Sequence, residues 1–482
     1  MWSFKIKNYN LNTFYYLGII ILAIFVYFRI LHNVNIEIGV PNKFINIFDG
    51  PSYYEFNFQD LETILSQHRS FGFPLFMKLY RFFDYNLLYW SLISYIFYIF
   101  SILIFYYAGS KLNLDKNYLF IFCSGLIFSK SLYHYLGHYT EFLSISLFLI
   151  SLSLFFIAIK RKTFMYYFFF SLLFFFTYQV RPPMILYLIF FITFIFLYKY
   201  FVDLKIRLYP TVLSVFFPLF LFLLLRFATV GDIGIVSFNM GNVGNSIIYM
   251  EKININELKK ENQELAKKLL ERKKKLPFPC NLDDNEKKYP HVNNKKHLGQ
   301  FPCWLEYTLT SWFVINKLKN NKEMFPEGDE RNFAPWLHVT TLSGYFNSLD
   351  NYVEINKIAK NFSSDVYFNS LDQIFLKIIQ TPIYFLKVQK KNNSNLISTL
   401  LIIFLIIFFF VKESPKTTKK SGPELILLIS FILLLFPTFL ILYIYVNAEG
   451  RAVLFQTFYF MPICLSYLFY IIIRNSKFKY LF

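Results

Sequence analysis

Residues 140–162 read Thr140-Glu141-Phe142-Leu143-Ser144-Ile145-Ser146-Leu147-Phe148-Leu149-Ile150-Ser151-Leu152-Ser153-Leu154-Phe155-Phe156-Ile157-Ala158-Ile159, then Lys160-Arg161-Lys162. About 20 apolar residues in a helix cross the ~30 Å hydrocarbon layer of a bilayer. Comparable segments recur along the chain, and ten spans are expected: 13–31, 86–108, 118–131, 140–159, 164–180, 184–201, 209–228, 395–411, 423–446 and 453–473. The third and fifth are short or interrupted by polar residues. The first lacks a small-residue cleavage site and reads as a retained anchor. The fold class implied is an all-α polytopic membrane protein with about ten transmembrane helices.

Composition agrees. The chain has 482 residues, of which 56% are hydrophobic, 22% aromatic and only 16% charged. A globular protein of this size carries about a quarter charged residues and shorter apolar runs. The 64 Phe residues read mostly as lipid-facing bulk and give no aromatic ligand site. Formal net charge is +19, but the Lys and Arg residues fall mainly between spans. That arrangement fits topology and anionic headgroups rather than nucleic acid, for which no motif is present. Four Cys are too few for a disulfide framework. Cys123 and Cys464 lie in apolar spans, while Cys280 and Cys303 share a polar segment and could pair in an oxidising compartment.

Orientation follows from the short loops. With a cytoplasmic N-terminus, the inner loops hold Lys111 and Lys116; Lys160, Arg161 and Lys162; Lys199, Lys205 and Arg207; and Lys412, Lys416, Lys419 and Lys420. The tail adds Arg474, Lys477 and Lys479, whereas the opposite short loops beyond the first hold only Lys130, Arg181 and Arg451. The positive-inside rule then places both termini in the cytoplasm. Three parts result: an N-terminal transmembrane module, 1–229, with a first outer loop at 32–85; an extracytoplasmic domain, 230–394, of mixed or mainly helical structure; and C-terminal transmembrane helices, 395–482. Within the outer domain, 251–276 alternates acids and bases around a stripe of Ile255, Leu258, Leu265, Leu269 and Leu276, with Glu264–Lys268 and Glu271–Lys275 at i,i+4. This is an amphipathic helix, packed on the domain or resting on headgroups.

Several polar groups gather on the expected outer side. Asp49 heads Phe48-Asp49-Gly50-Pro51-Ser52-Tyr53-Tyr54 in the first outer loop. A carboxylate there can take a proton from an acceptor hydroxyl, or it can simply be an Asx-turn residue before Gly50-Pro51. Arg69, beside His68, is a cation in the same loop. Glu141 opens the 140–159 span and could position an acceptor, or, as an acid in a first helical turn behind Thr140, complement the helix dipole. His134 and His138 stand at i,i+4, a spacing that suits a metal, but no third ligand is near in sequence. No metal site is therefore assigned, although a second carboxylate leaves a divalent cation open. Arg181, in Gln179-Val180-Arg181-Pro182-Pro183, could bind a phosphate through its guanidinium or snorkel to headgroups. Glu449 and Arg451, in Asn447-Ala448-Glu449-Gly450-Arg451, could pair with each other, or Arg451 could meet a departing phosphate.

In their order along the chain these residues resemble the C-type glycosyltransferases (GT-C), especially the bacterial branch similar to protein O-mannosyltransferases and aminoarabinose transferases. The matching positions are Asp49, Tyr53 and Tyr54; Arg69-Ser70-Phe71-Gly72-Phe73-Pro74; Thr140-Glu141; Arg181-Pro182; and Glu449-Gly450-Arg451. The resemblance covers the membrane portion and leaves 230–394 unmatched. It departs in lacking the second acid that many members carry next to the first, and ten spans are fewer than some members have.

The resemblance implies a GT-C-like fold and an inverting transfer of one sugar. The donor would be a polyprenyl-phosphate sugar, and the acceptor a cell-envelope glycan, lipid or protein on the outer face of the bacterial cytoplasmic membrane. Asp49 and Glu141 would be catalytic. Tyr53, Tyr54, Arg69, His138, Arg181, Glu449 and Arg451 would contact substrate or phosphate. Two rivals would handle the same lipid-linked saccharides: a transporter or flippase, which moves them without transferring a sugar, and an O-antigen-type polymerase or ligase.

Overall fold

The computed structural model describes residues 11–34, 53–67, 69–128, 140–204, 206, 208–236, 246, 253–275, 352–375, 378–379, 422–444, 462–463 and 465–471. Among them there is no strand. The helices are α1 (Leu11–Val34), α2 (Leu61–Ser66), α3 (Gly72–Arg81), α4 (Trp90–Lys111), α5 (Lys116–Phe128), α6 (Thr140–Arg161), α7 (Phe164–Val180), α8 (Tyr187–Phe201), α9 (Leu208–Val230), α10 (Lys260–Lys275), α11 (Tyr352–Phe368) and α12 (Pro423–Ile444). Helices suit an apolar solvent, because a helix satisfies its backbone donors and acceptors internally.

Four segments among the described residues are long and apolar enough to cross a membrane: Trp90–Lys111, Thr140–Arg161, Pro182–Phe201 and Leu208–Val230. Thr13–Arg29, Lys116–Phe128, Phe164–Val180 and Pro423–Leu434 are apolar but shorter. The protein is therefore a helical membrane protein. The expected span 395–411 and much of 453–473 lie outside the described residues.

Local chemistry shifts some boundaries from those the hydropathy suggested. The second span starts at Trp90 rather than 86 because Asp84 organises a turn before it. Its Oδ2 accepts from the Tyr89 amide at 2.8 Å and the Tyr80 hydroxyl at 3.0 Å. Burial opposes ionisation of Asp84, yet the amides of Tyr89 and Leu88 prevail and hold its carboxyl below the usual range. Leu87 completes the turn at φ 55°. The third starts at Lys116, where Asp115 Oδ1 accepts from the amides of Asn117 and Tyr118. Pro182-Pro183 turn the entry to the sixth span into a 3₁₀ segment, Pro182–Leu186, before α8.

The core of the membrane portion is α6. Its apolar window is 83% buried, against 17% for α9 at the periphery. Four buried serines fit among the packed helices because each hydroxyl donates to a carbonyl one turn back: Ser144 to Glu141, Ser146 to Phe142, Ser151 to Leu147 and Ser153 to Leu149. Small residues of this kind let helices approach closely in lipid. Phe148, Phe155 and Phe156 then pack edge-on or tilted against Phe190, Phe191 and Phe194 of α8. Tyr95 donates to the Ala23 carbonyl at 2.8 Å and Tyr98 to that of Leu126 at 3.1 Å, joining α4 to α1 and α5.

Helices α6 and α7 are antiparallel, so the start of α6 and the end of α7 share one face of the bundle. The first loop after α1 is seated there. Its helix α3 packs Phe73 and Met77 into a cluster with Trp90, Leu143, Leu147 and Val180. The approach is closest at Gly72, where an added Cβ would stand 2.4 Å from the Gln179 carbonyl carbon and 2.6 Å from its oxygen. Phe71, just before it, meets Phe175 of α7 and Phe222 of α9.

Beyond α9 the chain forms a helical pair. Leu258, Leu265 and Leu269, from the expected amphipathic stripe, are buried against Ala359, Phe362 and Val366 of α11. Asp365 locks the pair by accepting from the Lys259 amide at 2.8 Å and from Asn262 Nδ2 at 2.7 Å. Glu264 and Lys268 meet at 3.2 Å on the exposed side. The pair is tied to the bundle by Asp232, which takes Arg226 of α9 at 3.2 Å and Asn356 of α11 at 2.8 Å.

Because the atoms facing Gly72 are main chain, they cannot move aside cheaply. Gly72→Ala is expected to destabilise the protein by about 1–3 kcal/mol through overpacking. A thermal unfolding midpoint in detergent equal to that of the parent would show that α3 is not seated on α7.

Candidate functional site

At the shared mouth of α6 and α7, Arg181 Nη1 lies 2.8 Å from Glu141 Oε1. The same Nη1 donates to Thr140 Oγ1 at 3.0 Å, and Thr140 in turn donates to Glu141 Oε2 at 3.3 Å. Glu141 is 1% exposed and Arg181 12%. The local sequence explains the placement. Thr140 and Glu141 form the first turn of α6, where backbone amides favour an acid. Arg181 caps α7 in an extended conformation, its amide donating to the Thr177 carbonyl at 3.1 Å. Pro182 then prevents α7 from continuing, which leaves the guanidinium at the mouth rather than on a helical face.

Each residue therefore has a role the sequence did not show. The sequence offers Glu141 as an acceptor-positioning acid or a helix-dipole partner, and Arg181 as a phosphate ligand or a snorkelling cation. In the structure they are each other's counter-ion. An ion in an apolar bundle is tolerated when paired, and removing one partner leaves an uncompensated buried charge.

A second cationic group stands on the first loop. Arg69 sits over the Tyr53 ring, 4.9 Å from its centroid, with Nη1 3.5 Å from the Tyr53 hydroxyl. Tyr53 packs edge-on against Phe73 at 5.1 Å, which anchors this pair to the cluster seated on α6 and α7. Tyr54 goes elsewhere: Arg81 covers its ring at 3.9 Å and that of Tyr85 at 4.6 Å. Burial raises the Tyr54 phenol above its ordinary value despite the opposing pull of Arg81. Asp60, capping α2, accepts from the Thr63 amide at 2.7 Å, and that bond holds its carboxyl below the usual range. The described part of the first loop thus combines local caps with ring contacts to α7 and α9.

The structure brings Glu141 and Arg181 together, and separately Tyr53 and Arg69, on elements joined by one apolar cluster. Asp49, His68, His134, His138, Glu449, Arg451, Cys280 and Cys303 lie outside the described residues. Among the described residues, no group of three or more His, Cys, Asp and Glu could hold a metal ion. Sequence reading missed Gln179, whose side chain is fully buried, and the Arg226–Asp232–Asn356 cluster. The signal for the first was present in Gln179-Val180-Arg181, a polar break in an apolar run. The second joins positions far apart in the chain and had no local signal.

No family model, no curated protein and no solved structure matches the chain.

Removal of one partner from the Glu141–Arg181 pair is expected to cost about 3–5 kcal/mol, and removal of both considerably less than the sum. The check is a double-mutant cycle of Glu141→Gln and Arg181→Met read by unfolding in detergent. Additive losses would mean that the two side chains act independently.

Proposed function

We propose that the protein is a membrane glycosyltransferase of the GT-C kind. It moves one sugar, with inversion, from a polyprenyl phosphate to a hydroxyl-bearing acceptor on the outer face of the cytoplasmic membrane. The observation that carries this reading is the juxtaposition at the mouth of α6 and α7. A buried carboxylate–guanidinium pair lies beside a seated first loop whose Arg69 is oriented by Tyr53. These are residues by which the chain resembles that family, and they come from three separated stretches.

In this reading the acceptor hydroxyl attacks the anomeric carbon from the side opposite the phosphate. Asp49 takes the hydroxyl proton, a new C–O bond forms, and the anomeric carbon–oxygen bond to the phosphate breaks. The bonding electrons leave on the phosphate oxygen of the polyprenyl phosphate. Arg181 and Arg451 stabilise that charge, a preorganised electrostatic contribution. Glu141 and Thr140 fix the Arg181 guanidinium before substrate arrives, so no side-chain ordering is needed at the moment of reaction. A polar face beside lipid suits a donor whose tail remains in the bilayer while its phosphate reaches water.

A flippase or transporter would place ionisable groups along a path through the middle of the bundle. The charged pairs described on the apolar helices, Glu141–Arg181 and Arg226–Asp232, sit instead at or near helix ends, which favours the enzyme. An O-antigen-type polymerase or ligase would depend on outer Arg and His residues and dispense with Asp49.

Asp49→Asn is expected to abolish sugar transfer by the purified protein while leaving its unfolding midpoint unchanged. Turnover near the parent rate would remove Asp49 from the mechanism, and loss of turnover only in Arg181 or His138 variants would favour the polymerase reading.

A further inference from the structure

Gln179 is a polar residue whose side chain finds no partner among the described residues. Its side chain is 0% exposed, and both Nε2 and Oε1 lack a hydrogen-bond partner. Other orphaned atoms nearby are single, as with the Tyr178 hydroxyl; among the described residues Gln179 alone has both its polar atoms unsatisfied. A buried amide in this state is costly, and a bound partner from outside the chain is one of the ways native proteins satisfy such a group. Backbone movement cannot relieve it, because the Gln179 main chain is pinned by Gly72 at the closest approach between α3 and α7. Gln179 also belongs to the same helix end as Arg181, whose guanidinium is anchored by Glu141 and Thr140.

The chemistry of the amide defines its partner. A glutamine offers two donor hydrogens and an acceptor oxygen. A phosphate accepts only, so it would engage Nε2 and leave Oε1 unsatisfied. A hydroxyl both donates and accepts, and a pair of neighbouring hydroxyls satisfies both ends of the amide. We infer that Gln179 is a specificity residue that reads hydroxyls of the sugar carried by the lipid-linked donor, while Arg181 faces the phosphate. The inference rests on the glycosyltransferase reading above and adds the residue that distinguishes the glycosyl group from the bare lipid phosphate. A site built to hydrogen-bond a hydroxyl rejects a ligand that lacks it, since its polar atoms are then left unpaired.

The test uses the full-length protein in nanodiscs with two kinds of probe: undecaprenyl phosphate, and its glucosyl, mannosyl and galactosyl esters. The parent should bind at least one ester roughly tenfold more tightly than the bare phosphate, the scale of one good hydrogen-bonded contact. In Gln179→Leu that preference should fall to near unity with affinity for undecaprenyl phosphate unchanged, and the ligand-free unfolding midpoint should hold or rise because the orphaned amide is gone. Gln179→Met serves the same purpose if the Leu variant does not fold. An ester preference retained in the variants, or none in the parent, overturns the role of Gln179 and leaves the donor class standing. A lower ligand-free midpoint in both variants also overturns it, because the amide would then have a partner inside the protein. Failure of the parent to bind undecaprenyl phosphate or any ester overturns the glycosyltransferase reading itself.

Discussion

The pairing of Glu141 with Arg181 governs the mouth of the bundle. An apolar helix bundle can carry a carboxylate and a guanidinium at this depth when each supplies the other's counter-ion. That requirement fixes how α6 and α7 meet at this face, since the acid opens one helix and the base closes the other. Thr140 adds a bridge between them. The pair thus sets the register of the two helices as well as the charge presented to the loop above.

The first loop depends on that register. Helix α3 reaches the end of α7 at a place where even one methyl group would collide with main chain. Phe71 and Phe73 flank the contact, one toward α7 and α9 and the other into the Trp90–Leu143–Val180 cluster. Apolar packing therefore brings a loop rich in polar and aromatic groups down onto the ion pair. Arg69 stacks over the Tyr53 ring within this loop.

A second buried charge performs a different task. Arg226 and Asp232 are both almost fully buried, and Asn356 reaches the same carboxylate from α11. The helical pair of α10 and α11 is consequently attached to the end of α9 through hydrogen bonds. Its own interior is apolar, and Asp365 fastens its two strands of chain with backbone and amide donors. Since α9 also contacts α2, the attachment links this pair indirectly to the first loop.

Hydropathy alone determined that the chain is helical and membrane-embedded, because long apolar runs have no other stable form in lipid. It located α6, α7 and α9 to within a few residues, and the 258–269 stripe announced a buried helical face. Boundaries set by capping were less legible: Asp84 and Asp115 displace the starts of α4 and α5 through hydrogen bonds that a hydropathy window does not register. Glu141 and Arg181 each stood out in the sequence, but as separate candidates. That they form one unit, that Gly72 brings the first loop onto the end of α7, and that Gln179 is buried with no partner among the described residues were decided only by tertiary structure. The physical reason is range: helix periodicity and capping act over one or two turns, whereas pairing, close approach and desolvation depend on which distant segments the packed bundle places side by side.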